Sequence, residues 1–479
     1  MVPFCSFFWN GILILVFQKA AYAEERGMYM PKGRNNLFVE PDCEHNNQEK
    51  KGCVRPKPGG VSRGCPFAGS LAALMPIADA AHLVHGTAGC LESGWGYPGN
   101  RIDFGSLSGY GFSTQLNNRD MTMGGERKLL QSIGYIAVNY RPPAIFVYAT
   151  CVTVLLMEDI DSICQEAEQI WGLPVIPVHS PGLTGSSSNM GRKLAGEALM
   201  DRVIGKGAHK REELTDFDIN LIGEYSGTEE GRSIVGLLAK AGIRVLAQIT
   251  GESRYEEVSR SHLAKVNMLV CSRSMITLVR KMKDKYAIPY FEGSFYGERE
   301  IRFAMRQIGF HFHNPDLDKR LHRFIRKEEE RLRPELALVR KELKGKTAVL
   351  YTDGVDSWIY LTMLQELGLK IAAIGTNRNA QEDLSRIRER LTNGTQIIND
   401  CDDHQIVKIF RDRKADLMIV SGRNEFVPLK ERIPFLNVAR DQHASYAGYE
   451  GVRNFAQDLL GTLEQPVWVI SGKSAPWEG

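Results

Sequence analysis

The chain has 479 residues, 43% of them hydrophobic and 24% charged, which is too long for one hydrophobic core and apolar enough to fill about three. Lysine and arginine number 60 against 57 acidic residues, so the chain lacks the positive field that holds nucleic acid or an anionic membrane. The nine cysteines, an odd number spread thinly, exclude a disulfide framework and point to reduced thiols, some packed and others able to ligate a metal or cluster.

Residues 1–35 form an extension of doubtful origin. Val2 to Phe17 is apolar and Ala20-Ala21-Tyr22-Ala23 resembles a cleavage site, but no Lys or Arg precedes the apolar run, so an export signal is incomplete. The competing reading starts translation at Met28 or Met30 and is preferred, because everything downstream has a cytoplasmic character. No other stretch reaches the ~18 uninterrupted apolar residues of a membrane span. Residues 36–210 are assigned to a polar, extended arm, ending near Gly64, followed by a first α/β domain. Residues 211–342 and 343–479 are assigned to a second and a third.

From Gly64 onward, short β-branched or apolar runs alternate with helix-period segments, which predicts βαβ units and parallel sheets. The spacing predicts strands at Ala144–Ala149, Val175–Val178, Ile219–Gly223, Val245–Ile249, Met268–Val270, Ala348–Tyr351, Ile371–Ile374 and Leu417–Val420. Helices are expected at Ile160–Ile170, Glu229–Ala241, Met275–Tyr286 and Trp358–Leu367, with a solvated helical connection along the charged run Asp316–Arg340. The fold class is therefore α/β, three Rossmann-like domains. Several strands end in small or polar turns, and the carboxyl ends of parallel strands are where such folds bind ligands. No G-x-x-x-x-G-K-[ST] loop or well-placed G-x-G-x-x-G is present, so nucleotide hydrolysis and dinucleotide redox chemistry lack their usual support.

Cys65 lies in Arg63-Gly64-Cys65-Pro66-Phe67, Cys90 in His85-Gly86-Thr87-Ala88-Gly89-Cys90, and Cys151 directly after Tyr148-Ala149-Thr150. Each is in a turn beside small residues, where a sulfur is uncovered and backbone N–H groups can approach a cluster. Their wide spacing is not a zinc or ferredoxin signature, and by spacing alone buried structural thiols are the plainer reading. Cys271 sits between a strand end and a helix start, where helix N–H groups favour the thiolate; a buried helix-start cysteine is the plainer reading. Cys43 and Cys53 flank an arm that also carries His45, Cys164 and Cys401 read as packing residues, and Cys5 lies in the doubtful extension.

Longer blocks add to this. Glu40-Pro41-Asp42-Cys43-Glu44-His45-Asn46, Gly64-Cys65-Pro66-Phe67-Ala68-Gly69, Ala80-Ala81-His82-Leu83-Val84-His85-Gly86, Phe291-Glu292-Gly293-Ser294-Phe295-Tyr296-Gly297 and Tyr446-Ala447-Gly448-Tyr449-Glu450-Gly451 resemble the E subunits of nitrogenase cofactor-biosynthesis complexes, within the nitrogenase component 1-like family. The resemblance runs from residue 36 to the C-terminus. It implies a scaffold for assembly and maturation of the iron-molybdenum cofactor, paired with a homologous N subunit as an α2β2 heterotetramer. By the same resemblance Cys65, Cys90 and Cys151 ligate a [4Fe–4S] cluster completed by the partner, and Cys271 anchors a transient iron–sulfur precursor of the cofactor. A donor would supply the iron–sulfur core, the nitrogenase iron protein would deliver molybdenum and homocitrate, and apo-nitrogenase would receive the product.

The nearest competitor is the catalytic D subunit of nitrogenase. Arg192 stands where that subunit has a histidine assisting reduction, and Ala439 where it has its second cofactor ligand. E subunits tend to carry asparagine at the latter position, and His443, four residues on, is the remaining candidate for the second contact. A tetrapyrrole-reducing relative with the same fold, or an α/β protein whose cysteines only pack, would also account for these residues.

Overall fold

The computed structural model describes residues 6–9, 12–15, 65–95, 110–184, 188–207, 214–223, 228–270, 272–352, 355–376, 381–391, 394–399, 401–439 and 444–471. The arm of residues 35–64, with Cys43 and Cys53, lies outside them, as do Cys5, Cys271 and His443.

The first sheet contains β1 (Ser6–Trp9), β2 (Ile12–Leu15), β3 (Ala81–His85), β4 (Gly111–Ser113), β5 (Ile145–Ala149) and β6 (Val175–His179), in the order β1-β2-β4-β3-β5-β6. The last four are mutually parallel, while β1 and β2 form an antiparallel pair that adds to the β4 edge. Its helices are α1 (Pro66–Leu74), α2 (Ala88–Trp95), α3 (Asn118–Met123), α4 (Glu126–Tyr140), α5 (Cys151–Leu155), α6 (Ile160–Trp171) and α7 (Ser188–Arg202). Strand β5 is buried along its whole length because both faces are covered. Phe146 and Tyr148 pack with Phe67 and Leu71 of α1 and Leu199 of α7, while Ile145 and Val147 pack with Ile133 of α4 and Ile163 of α6.

The second sheet, β10-β9-β7-β8, is wholly parallel: β7 (Asp218–Ile222), β8 (Arg244–Ile249), β9 (Val266–Leu269) and β10 (Tyr290–Glu292). Helices α8 (Thr228–Lys240), α9 (Tyr255–Arg260), α10 (Ser272–Tyr286) and α11 (Glu298–Phe312) accompany it. Helix α12 (Pro315–Leu343) then leads to the third sheet, β13-β12-β11-β14-β15, also parallel. Its strands are β11 (Thr347–Tyr351), β12 (Lys370–Thr376), β13 (Gln396–Asn399), β14 (Leu417–Val420) and β15 (Phe435–Asn437). Helices α13 (Val355–Glu366), α14 (Gln381–Arg390), α15 (Asp403–Asp412), α16 (Phe426–Lys430), α17 (Gly448–Glu464) and α18 (Pro466–Ser471) complete the chain.

All eight strands expected from the sequence are present with ends shifted by no more than a few residues, as are the four helices. The charged connection differs in character. Helix α12 is not solvated all round: Leu317, Leu321, Ile325, Leu332, Leu336, Val339 and Leu343 are buried at three-, four- and seven-residue spacing and join the core shared by the second and third sheets. The charges occupy its other face, which explains why composition alone suggested a solvated rod. Among the described residues no helix is long and apolar enough to cross a membrane.

Candidate functional site

Each sheet reverses its direction of winding near its middle: between β3 and β5, between β7 and β9, and between β11 and β14. A crevice opens beyond the carboxyl ends of strands at such a switch point. Cys90 and Cys151 sit on the turns and helix starts that leave β3 and β5, at the first of these. At the second, β9 ends at Leu269 and Val270 follows it; Cys271, next in sequence, lies outside the described residues.

Cys65 is brought to the same place by helix packing. It is the N-cap of α1, in extended conformation with Pro66 as the first helical residue, and its carbonyl accepts the Gly69 N–H at 3.1 Å. Helix α1 lies backbone to backbone against α7. A Cβ on Gly69 would come within 1.8 Å of the Ser188 carbonyl oxygen, and one on Gly191 within 1.8 Å of the Pro66 oxygen. Only glycine allows that approach.

Cys65 is exposed, Cys90 and Cys151 are partly buried, and none of the three is in a disulfide. The N–H of Gly182, in the turn after β6, donates to Cys151 Sγ at 3.0 Å. A Cβ on Gly182 would stand 3.1 Å from Cys65 Sγ and 3.3 Å from Cys151 Sγ, so two sulfurs flank one glycine. Although Cys65 is exposed as a residue, partial desolvation of its sulfur raises the thiol pKa, against the opposing pull of the Phe67 and Ala68 N–H groups, and the nearby Cys151 and Cys90 push it the same way. Among the described residues no three His, Cys, Asp or Glu side chains are spaced for a single metal ion, so these sulfurs do not form the closed shell of one ion.

Apolar side chains near the cysteines in sequence are exposed: Val154, Leu155 and Met157, just beyond Cys151, at 49%, 68% and 88%, and Leu183, next to Gly182, at 53%. Exposed apolar side chains of this size are a feature of interaction surfaces.

The two other cysteines among the described residues behave as packing residues. Cys164 is buried in α6 and Cys401 is buried after β13, where burial pushes its thiol up to about 11. Arg192 lies partly buried on α7. Ala439 donates its N–H to Asn437 Oδ1 at 3.0 Å, and residues 440–443, with His443, lie outside the described residues. Gly182 carries no chemical signal in the sequence. A Pro-Gly pair after a strand identifies a turn but not the sulfurs it meets.

The family model for nitrogenase component 1 type oxidoreductases matches residues 65–464. The chain belongs to that family. A nitrogenase iron-molybdenum cofactor biosynthesis protein, NifE, from Rippkaea orientalis is 40% identical over 458 residues, covering 94% of this chain and 97% of the relative. NifE from Klebsiella pneumoniae is 39% identical, covering 92% of this chain and 98% of the relative. A solved structure of nitrogenase Cp1 at pH 5 superposes with a TM-score of 0.77 at 28% identity, over 88% of this chain and 92% of that one. The three-sheet α/β architecture is thus that of nitrogenase component 1.

Proposed function

We propose that this chain is a scaffold subunit for assembly and maturation of the nitrogenase iron-molybdenum cofactor, holding an iron–sulfur precursor until it passes to apo-nitrogenase. The observation that carries this reading is near full-length similarity to NifE proteins, 40% identity over 97% of the Rippkaea orientalis relative, against 28% to the nitrogenase structure. Arg192 and Ala439, at positions where the resemblance implies histidines in a catalytic subunit, favour a scaffold over a reductase.

In this proposal Cys65, Cys90 and Cys151 hold a [4Fe–4S] cluster shared with a homologous N subunit in an α2β2 heterotetramer. The Gly182 N–H to Cys151 and the room left beside Cys65 and Cys151 by its missing side chain fit such a group. The exposed apolar side chains fit a partner face. When bound, the cluster would supply one-electron redox chemistry and a covalent tie between subunits. Cys271 would anchor the precursor, with His443 as a second contact. One thiolate leaves most of the precursor open to metal exchange, consistent with delivery of molybdenum and homocitrate through the nitrogenase iron protein after a donor supplies the core. The proposed setting is cytoplasmic.

The test is iron content and anaerobic EPR of the complex co-expressed with its partner and the core-forming machinery, comparing wild type with Cys271→Ala. The wild type should hold iron well beyond one bridging cubane and the variant about four irons per heterodimer. Equal iron and spectra in both would remove Cys271 as the anchor. Dinitrogen reduction by the purified complex would replace the scaffold reading with that of a reductase.

A further inference from the structure

The Cys90 and Cys151 turns leave neighbouring parallel strands, paired up to His85 and Ala149, and a buried side-chain pair joins them. His85, the last residue of β3, is wholly buried, with Nε2 2.9 Å from Glu158 Oε2 and Nδ1 2.9 Å from Thr114 Oγ1. The other oxygen of Glu158 accepts the Gly125 N–H at the start of α4. Thr114 Oγ1 also accepts the Gly86 N–H at 3.2 Å. Thr150, immediately before Cys151, donates to the His85 carbonyl from its N–H at 3.3 Å and its hydroxyl at 2.9 Å. There is no slack between the turns: a Cβ on Gly86 would lie 2.3 Å from Thr150 Oγ1.

The backbone is arranged to aim Glu158 inward. Met157, between α5 and α6, takes a left-handed φ of 53° and turns its own side chain out to solvent, leaving the Glu158 side chain 2% exposed. Both ring nitrogens of His85 therefore have a side-chain partner within hydrogen-bond distance, Glu158 at Nε2 and Thr114 at Nδ1. The imidazole is held at both ends.

We infer that His85 and Glu158 are positioning residues that fix the Cys90 and Cys151 sulfurs relative to each other, so that both reach one iron–sulfur group. This rests on the proposed ligand role of those cysteines. Burial alone would suit a histidine of purely structural use, and β3 contains one for comparison. His82 is also fully buried, but its partners, Tyr148 Oη at 2.9 Å and the Ile77 carbonyl, belong to neither turn. His85 and Glu158 instead attach to the two segments that carry the cysteines.

The test uses the complex with its partner subunit in a Cys271→Ala background, so that only the bridging cluster is counted. His85→Gln, Glu158→Gln, His82→Gln and Cys151→Ala are compared by thermal unfolding, gel filtration, iron content and EPR line shape. His85→Gln and Glu158→Gln are expected to assemble and to lose cluster iron at least threefold or to change its line shape. His82→Gln should lose stability while keeping wild-type iron and spectrum. Wild-type iron and line shape in His85→Gln, with iron lost in Cys151→Ala, would overturn the positioning role alone. Equal iron loss in His82→Gln and His85→Gln would reduce the pair to general stability and overturn it too. Full iron in Cys151→Ala would overturn the ligand reading and the positioning role together. If His85→Gln does not assemble, Thr114→Val, which removes only the Nδ1 contact, is read by the same criteria.

Discussion

Replacing Gly182 by alanine separates what the sulfur site requires from what the fold requires. The new methyl carbon would stand 3.1 Å from Cys65 Sγ and 3.3 Å from Cys151 Sγ, against roughly 3.5–4.0 Å for a relaxed non-bonded contact. Each sulfur would have to retreat by roughly half an ångström, the tolerance of about 0.5 Å within which a metal site has to be held. The backbone itself should not object. Gly182 is outside the left-handed region, and alanine narrows the unfolded ensemble by about 0.4–1 kcal/mol, which offsets part of the crowding. The net stability change is therefore expected within about 1 kcal/mol, a Tm shift of a few degrees at most. Iron per heterodimer in a Cys271→Ala background should fall severalfold. The assay pairs thermal unfolding with iron analysis on one anaerobic preparation. Wild-type iron in a well-folded Gly182→Ala complex would refute the argument that Cys65 and Cys151 share a tightly fitted group beside this glycine.

Gly69→Ala or Gly191→Ala should behave differently. Either methyl group would lie 1.8 Å from a carbonyl oxygen of the facing helix, so α1 and α7 must separate, and soluble yield and Tm should fall along with iron. In α12, Leu321→Ala removes a side chain 1% exposed in the core between the second and third sheets. It should cost about 2–5 kcal/mol by denaturant unfolding, whereas a rod solvated all round would lose almost nothing. Glu366 accepts the Glu298 and Arg299 N–H groups at 2.8 and 2.9 Å. Burial nevertheless pushes its carboxyl from 4.5 to about 7, with the Glu298 and Glu300 carboxylates adding to the rise. A raised acid pKa favours the folded state at low pH: the contribution, about 3 kcal/mol, is complete below about 4.5 and lost as pH rises through about 7. The Tm difference between wild type and Glu366→Gln should therefore change between pH 5 and pH 8, and parallel curves would exclude this carboxyl as the source.

How much of the molecule is legible in its sequence follows the range of the interactions. Strands such as Leu417–Val420 are readable because a buried parallel strand is a continuous apolar run, and the turns after Ala149 and Val270 because small residues interrupt such runs. Short strands such as Gly111–Ser113 and Phe435–Asn437 escape notice, since three residues give no period to detect. Helix α12 is visible but its buried stripe is not, because charged residues dominate its composition and hide the leucine spacing. The meeting of Cys65 with Cys151 depends on α1 lying against α7 through Gly69 and Gly191, a contact between distant segments that no local pattern encodes. The His85–Glu158 pair has the same origin: both residues are visible in the sequence, but only the adjacency of β3 and β5 makes them partners.

Strand order also bears on why the cysteines are where they are. A parallel strand ends with backbone groups pointing into a turn, and at a switch point the two connections leave in opposite directions, so nothing from the same sheet covers the gap. Cys90 and Cys151 border that gap in the first sheet, with Cys65 and Gly182 closing its sides from α1 and the β6 turn. Leu155 and Met157, beyond Cys151, and Leu183, beside Gly182, are exposed apolar side chains. On the proposed ligand role, three thiols from one chain would be an incomplete ligand set for a four-iron cluster, and the exposed Leu155, Met157 and Leu183 would give a second chain somewhere to dock. This predicts that the isolated subunit holds less bridging iron than the complex. Replacing Leu155 and Met157 together with aspartate should abolish both partner binding and iron retention while leaving the far-UV circular dichroism of the separate chain unchanged. Retention of full iron by the charged variant as a monomer would show that the site closes without a partner.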